Sequence, residues 1–220
     1  MNAIKLVVAD MAGTTVKDSG DVAHAFAAAL EGHGIEAPAA QINAVRGASK
    51  REAIATLIAP KYGSDITRSD AVYASFKDHL RTLFTRAAEP IPGALATFDW
   101  LRGRGIKIAL NTGFDRDIAD LLIDALNWRR VVDALICGDD VPQGRPAPYL
   151  IFRAMEATAT IDVGHVLNIG DTVSDLKAAR NAGVAVSVGV LSGAHRRHQL
   201  EAEPHTTLIE SIAELPGLWR

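Results

Sequence analysis

A chain of 220 residues, 48 % hydrophobic and with a formal net charge of −3, has enough apolar material to bury a full core, and its length suits one α/β domain carrying an inserted subdomain. Charges of both signs are scattered and no basic stripe marks a nucleic-acid partner, so the pairs Arg129/Arg130 and Arg196/Arg197 read as solvated loop charges. Cys137 is the only cysteine, which excludes an internal disulfide and a thiolate metal cage and fits a reducing cytosol.

The first predicted strand is the apolar run IKLVVA (4–9). Asp10 stops it far short of the ~20 residues a membrane span needs, and no cleavage signal precedes it. The expected setting is therefore cytoplasmic and away from membranes. Residues 17–88 hold no convincing strand and read as helices over 21–32, 39–46, 49–59 and 67–87. So long a connection predicts a helical cap inserted after the first strand, with hinges near 16–20 and 88–93. The segment EPIPG (89–93) marks the return to the main unit. Helices are then expected at 93–103, 116–126, 147–157 and 175–182, the last closed by Asn181-Ala182-Gly183. Between them stand strands IKIAL (106–110), VVDALIC (131–137), HVLNIG (165–170) and VAVSVGV (184–190). Runs apolar on both faces and alternating with helices predict a doubly wound, Rossmann-like parallel sheet formed by 1–16 and 89–220.

In such a sheet, ligands bind beyond the carboxyl ends of the strands, where the strand order reverses. Three predicted strands end in polar groups capable of chemistry: Asp10, Thr112 and Asp171. Asp175 follows in GDTVSD, on the same side of a loop that enters a helix. Read alone, it is the N-cap of that helix. Carboxylates gathered this closely repel one another, and a hard dication such as Mg²⁺ relieves the repulsion by taking oxygen ligands. Asp10 and Asp171 are the candidate ligands.

The segments DMAGTT, NTG, GRPAP and GDTVSD resemble, in order and spacing, the four motifs of the haloacid dehalogenase superfamily of aspartate-nucleophile hydrolases. Within it, DMAGTTV, DDVPQGRPAP and GDTVSDLKAARNAG are similar to the phosphonoacetaldehyde hydrolase (phosphonatase) branch. The resemblance implies that Asp10 attacks phosphorus and that water hydrolyses the resulting aspartyl-phosphate. It further implies that Mg²⁺ takes Asp10, the carbonyl of Ala12 and Asp171, while Asp175 orients the water shell. A phosphonate dianion beside three carboxylates sums to about −5, each like-charge contact near 4 Å costing ~4 kcal/mol at an effective dielectric of ~20. Mg²⁺ and Arg145 offset it where charge builds during phosphoryl transfer. Thr112 and Gly113 offer neutral donors to a phosphoryl oxygen, and Ala12, Gly13, Arg46 and Gly47 are expected around the substrate. Arg145 stands where most members carry lysine, and its fork suits a phosph(on)ate oxygen and Asp10 together.

Phosphatases of the superfamily resemble one another in carrying a second Asp two places after the nucleophile, to protonate the leaving alkoxide. Here that place is Ala12, a deficit of ~10² to 10⁴ in rate for an oxygen leaving group. A lysine imine evades it by accepting the C–P bonding pair as an enamine forms. In RGASKREAI (46–54), Lys50 occupies the position of the phosphonatase Schiff-base lysine, and burial or cationic neighbours have to depress its pKa. Arg46 replaces a methionine of that pattern, and Ala53 replaces a histidine that would move protons. The added cation, Arg46, is expected to grip an anionic group. The substrate is thus expected to be a small phosphonate such as phosphonoacetaldehyde; the alternatives are a phosphomonoesterase of the same superfamily and a non-enzymatic phospho-acceptor resembling receiver domains. The branch also implies a homodimer formed through the cap. His195 and His198 lack a third ligand at zinc spacing and read as surface residues, and Trp100 and Trp128 are expected to pack helices onto the sheet.

Overall fold

Leu6, Val7, Val8 and Ala9 are fully inaccessible to solvent, because the strand they form, β1 (Leu6–Asp10), lies in the middle of a parallel sheet covered on both faces. The computed structural model describes residues 3–219, apart from the side chains of Arg86 and Ala87. Six strands take part: β1, β2 (Lys107–Asn111), β3 (Ala134–Ile136), β4 (Val166–Gly170), β5 (Val186–Val190) and β6 (Thr207–Ile209). Their order is β3-β2-β1-β4-β5-β6, every pairing parallel. The order reverses between β1 and β4, and the register sets Asp10 beside Asn111 and Ala9 beside Ile169. The carboxyl ends of β2, β1 and β4 therefore open onto one crevice.

Side chains alternate between the two faces as the pleat requires. Val7 and Ala9 join the larger core with Phe98, Leu110 and Ile169, whereas Leu6 and Val8 join a second core with Ile151 and Ala178. Helices α5 (Ala94–Arg102), α6 (Arg116–Ala125), α7 (Tyr149–Ala157), α8 (Val173–Ala182) and α9 (Arg197–Glu201) accompany the sheet. Trp128 meets Phe98 of α5 edge-on at 5.2 Å and is buried as expected, while Trp100 packs on Trp219 at 5.1 Å.

Between β1 and α5 come four helices, α1 (Asp21–Gly32), α2 (Ala39–Ala44), α3 (Lys50–Tyr62) and α4 (Ile66–Ala87). Phe26 of α1 and Phe76 of α4 meet at 4.4 Å, in apolar packing continuous with the larger core of the sheet. The two chain passages into this insertion are paired: the Lys17 N–H donates to the Glu89 carbonyl at 2.8 Å and the Ile91 N–H to the Thr15 carbonyl at 2.8 Å. Among the described residues no helix is long and apolar enough to cross a membrane.

Strand β6 and helix α9 are not expected from the sequence, and two expected elements have other bounds. The strand expected over 131–137 is confined to Ala134–Ile136, because Val131 and Val132 close a turn on Trp128 and the Asp133 carboxylate accepts the Ile108 N–H at 2.9 Å. Helix α8 begins at Val173 rather than 175: Thr172 is its N-cap, and Asp175, expected to cap the helix, is instead the acidic partner of a capping box.

Candidate active site

Asp10 ends β1, and the chain turns sharply over it, with the N–H groups of Thr14, Thr15 and Val16 all donating to the Met11 carbonyl. The Thr15 hydroxyl donates to the Asp10 carbonyl at 2.9 Å. This knot holds the Asp10 carboxylate, 5 % exposed, at the rim of the sheet. Arg145 approaches from the loop before α7, and its Nη1 donates to Asp10 Oδ1 at 2.7 Å and also to Asp175 Oδ1. The Arg145 Nε is buried without a partner among the described residues. A buried guanidinium N–H without a protein partner is a donor suited to an acceptor oxygen of a substrate.

Asp171 follows β4 and is fixed on both oxygens, by the Thr14 hydroxyl on Oδ1 at 3.2 Å and by the Ala194 N–H on Oδ2 at 2.6 Å. Burial, then the charges of Asp10 and Asp175, push its carboxyl well above the usual carboxylate range. Burial, opposed by Arg145 and abetted by Asp175, pushes Asp10 upward as well. Both carboxylates thus sit buried beside further negative charge that disfavours their ionisation, Asp175 for Asp10 and Asp10 with Asp175 for Asp171, which is the arrangement a bound cation corrects. Among the described residues no three His, Cys, Asp or Glu gather as a metal cage. Two carboxylates with only oxygen donors nearby suit Mg²⁺, which retains water and draws on substrate oxygens.

The chain from Gly47 to Lys50, at the start of α3, closes this crevice. The Lys50 N–H donates to the Gly113 carbonyl at 3.2 Å. A Cβ on Gly113 would lie 2.5 Å from the Ala48 carbonyl oxygen. Only a glycine permits that approach, and it brings the Lys50 ammonium, 6 % exposed, into the same cleft as Asp10. There it stands 5.3 Å from the Phe114 ring centre. Burial first, then Arg145, lowers its pKa to about 8. A Gly113→Ala variant is expected to push α3 off the rim and lose ~10²-fold in kcat, with chemical unfolding of the sheet little changed; steady-state rates and denaturation curves check this.

The cleft is lined by Asp10, Ala12, Arg46, Gly47, Lys50, Thr112, Gly113, Arg145 and Asp171, so nine of the residues singled out in the sequence meet in one place. Thr112 accepts the Phe114 N–H at 3.1 Å, which leaves its hydroxyl proton available, and the Gly113 N–H meets no protein acceptor among the described residues. Two expected residues stand elsewhere. Gly13 lies outside the lining, its N–H bound to the Val16 carbonyl at 2.7 Å. Asp175 lies behind Arg145, one oxygen on the guanidinium and the other on the N–H and hydroxyl of Thr172.

His195, expected at the surface, is buried, whereas His198 is exposed. The Val173 N–H donates to His195 Nδ1 at 3.0 Å, and Nε2 lies 3.4 Å from the Asn43 carbonyl in the insertion. With Nδ1 an acceptor, the neutral ring carries its proton on Nε2, and burial holds its pKa below the usual value. The sequence reading also missed Thr14, Asp18 and Thr172. Of these only Thr172 carried a local signal, the T-x-x-D spacing of a capping box.

A family model for haloacid dehalogenase-like hydrolases matches residues 4–183. The chain is 32 % identical to the phosphonoacetaldehyde hydrolase of Bacillus cereus (strain B4264) over 91 % of its own length and 80 % of that protein. It is 38 % identical to the phosphonoacetaldehyde hydrolase of Parabacteroides distasonis, over 61 % of this chain and 51 % of that one, so that match spans about half of the relative's length. Its fold is also that of a phosphonoacetaldehyde hydrolase-like protein from Oleispira antarctica, with a TM-score of 0.88 at 22 % identity, covering 98 % of this chain and 91 % of that one. With its all-parallel sheet, its crevice at the β1/β4 reversal and these relatives, the chain belongs to the haloacid dehalogenase-like hydrolases, on the branch that resembles phosphonoacetaldehyde hydrolase, and is an enzyme of the hydrolase class.

Proposed function

We propose that the protein cleaves a small phosphonate by transferring its phosphoryl group to Asp10, with Lys50 holding the departing carbon fragment as an imine. The observation that carries the reading is the convergence of a buried carboxylate, a buried guanidinium with an unpaired N–H and a buried lysine in one cleft, beside an alanine where an acid would serve an oxygen leaving group. Residues 17–88 act as a cap, and their closure keeps water from the reacting groups.

Asp10 and Asp171, with the Ala12 carbonyl, would hold Mg²⁺, which when bound neutralises carboxylate and phosphoryl charge and lets the dianion approach Asp10. Arg145 holds Asp10 by Nη1 at 2.7 Å and presents its Nε to a phosphoryl oxygen. Asp175 positions Arg145, and the Thr112 hydroxyl and Gly113 N–H supply neutral donors. Lys50, whose pKa near 8 raises the share of free amine near neutral pH far above that of an ordinary lysine, condenses through that free amine with the substrate carbonyl and expels water. The protonated imine then accepts the C–P bonding pair as the Asp10 oxygen bonds to phosphorus, giving an enamine and an aspartyl-phosphate. Water hydrolyses both, releasing the carbonyl product, phosphate and the regenerated side chains.

The test is product analysis. Release of equal amounts of acetaldehyde and phosphate from phosphonoacetaldehyde supports the reading, together with borohydride trapping of substrate carbon on Lys50. Turnover with Lys50 unlabelled removes the imine. The second reading, a phosphomonoesterase with an activated leaving group, draws on Ala53, which is buried on α3 and leaves no proton carrier where the branch has histidine. Phosphate release from sugar phosphates in preference to the phosphonate favours it. Under either reading chelation is expected to abolish turnover and added Mg²⁺ to restore it, whereas an Asp171→Asn variant should need far more Mg²⁺ for half-maximal rate; titration of rate against free Mg²⁺ measures both.

A further inference from the structure

The reaction above leaves one charged group of the cleft without a task. Arg46 lines the cleft with its side chain only 12 % exposed. Its one guanidinium hydrogen bond runs from Nη2 to Asp18 Oδ2, so the other guanidinium N–H groups meet no protein acceptor among the described residues. Asp18 is a rigid anchor. Its side chain is 1 % exposed, and Oδ1 takes the N–H groups of Gly20 at 3.1 Å and Val22 at 3.2 Å at the entry to α1. On the backbone side, Gly47 has a φ of +82° and packs so tightly on the loop after Asp171 that a Cβ there would lie 2.2 Å from Thr172 Oγ1. Arg46 is thus held from both directions, with donors facing the cleft.

Arg145, not Arg46, holds Asp10, and Arg46 shares the cleft with Lys50 at the start of α3. The guanidinium is therefore left for the part of the substrate away from phosphorus. Asp18 balances its charge, so what Arg46 offers is directional: a planar fork with one edge fixed and the remaining N–H groups set for a carboxylate. A substrate whose leaving fragment is neutral would cover those N–H groups without pairing them, at the cost of their desolvation.

We propose that the substrate carries a carboxylate on the fragment that leaves phosphorus, and that Arg46, aimed by the positioning residue Asp18, selects for it. The inference rests on the reading of Asp10 as phosphoryl acceptor. It names the substrate class as small phosphonates that carry a carbonyl for Lys50 and a carboxylate for Arg46 or, under the second reading, carboxylate-bearing phosphate monoesters. The test is calorimetric binding, in the presence of Mg²⁺, of phosphonoacetate against the neutral-tailed 2-hydroxyethylphosphonate. The wild type is expected to bind phosphonoacetate at least ~30-fold more tightly, a ratio that shrinks to within ~3-fold in Arg46→Met. Arg46→Lys and Asp18→Asn should keep part of the preference, which a merely structural role of either residue would not produce, since misfolding weakens both ligands together. Equal binding of the two ligands by the wild type, or a parallel loss of both in Arg46→Met, overturns the proposal. An Asp10→Asn variant separates the two readings: continued turnover by that variant removes Asp10 as acceptor while a persisting preference leaves the carboxylate site standing, and an inactive variant that binds both ligands equally does the reverse.

Discussion

Replacing Lys50 with methionine is expected to abolish carbon–phosphorus cleavage and at the same time to make the protein more stable. Lys50 is almost fully buried, and among the described residues its ammonium has no carboxylate within salt-bridge distance, only the Ala48 carbonyl at 3.4 Å and the face of Phe114. Desolvation, the largest influence, and the Arg145 charge lower its pKa to about 8. Near neutral pH the folded protein therefore carries a disfavoured charge, and a volume-matched apolar side chain should add ~1–3 kcal/mol to the unfolding free energy. The sign with pH is fixed by the direction of the shift. The penalty is complete below a pH of about 8. It fades as pH climbs toward the unfolded value of ~10.4, where the unfolded chain still binds the proton that the folded one has shed. The stability advantage of Lys50→Met should accordingly narrow above that pH, and the wild-type rate of imine formation should rise through it. Urea unfolding and single-turnover trapping across the pH range measure the two trends.

Arg145→Ala is expected to damage both chemistry and fold. The guanidinium is 2 % exposed and neutralises two carboxylates at once, Asp10 and Asp175. Removing it strands those charges in a dry site, a change that typically costs ~3–5 kcal/mol of stability. Turnover should fall by ~10² to 10³ for loss of a donor to developing phosphoryl charge. Arg145→Lys, which restores a point charge without the fork, should recover much of the stability and little of the rate. Thermal unfolding and kcat measured together distinguish this pattern from simple misfolding, in which both recover or fail in step.

The parts of this architecture that could be read from the sequence are those written in short-range patterns. The LVVA and VLNIG runs announce strands covered on both faces, and the polar residue after each announces the rim, so Asp10 and Asp171 were placed together although 161 positions separate them. Lys50 and Arg145 follow from the resemblance of RGASKREAI and GRPAP to the motifs of the family. What escaped depends on contacts without a local signature. Asp18 looks like any hinge residue until Arg46, 28 positions on, folds against it. His195 lies in the polar string GAHRRHQL, whose composition says surface, yet its ring is captured by Val173 and the Asn43 carbonyl, 22 and 152 positions away. Strand β6 has three residues and a single neighbour, too short for its periodicity to stand out beside Pro204 and His205. Thr172 took the cap expected of Asp175 because its hydroxyl reaches the Asp175 N–H, freeing that carboxylate to hold Arg145.

The claim beneath all of this is that Asp10 is the atom acceptor and not merely a pocket wall. Rapid acid quenching during turnover, followed by proteolysis and mass spectrometry of the peptide that contains residues 6–16, reads it directly. The account predicts a phosphoryl group on Asp10 that appears and decays at rates compatible with turnover, and its absence together with lost activity in Asp10→Asn. A phosphoryl group on another side chain, or full turnover by Asp10→Asn, would contradict it.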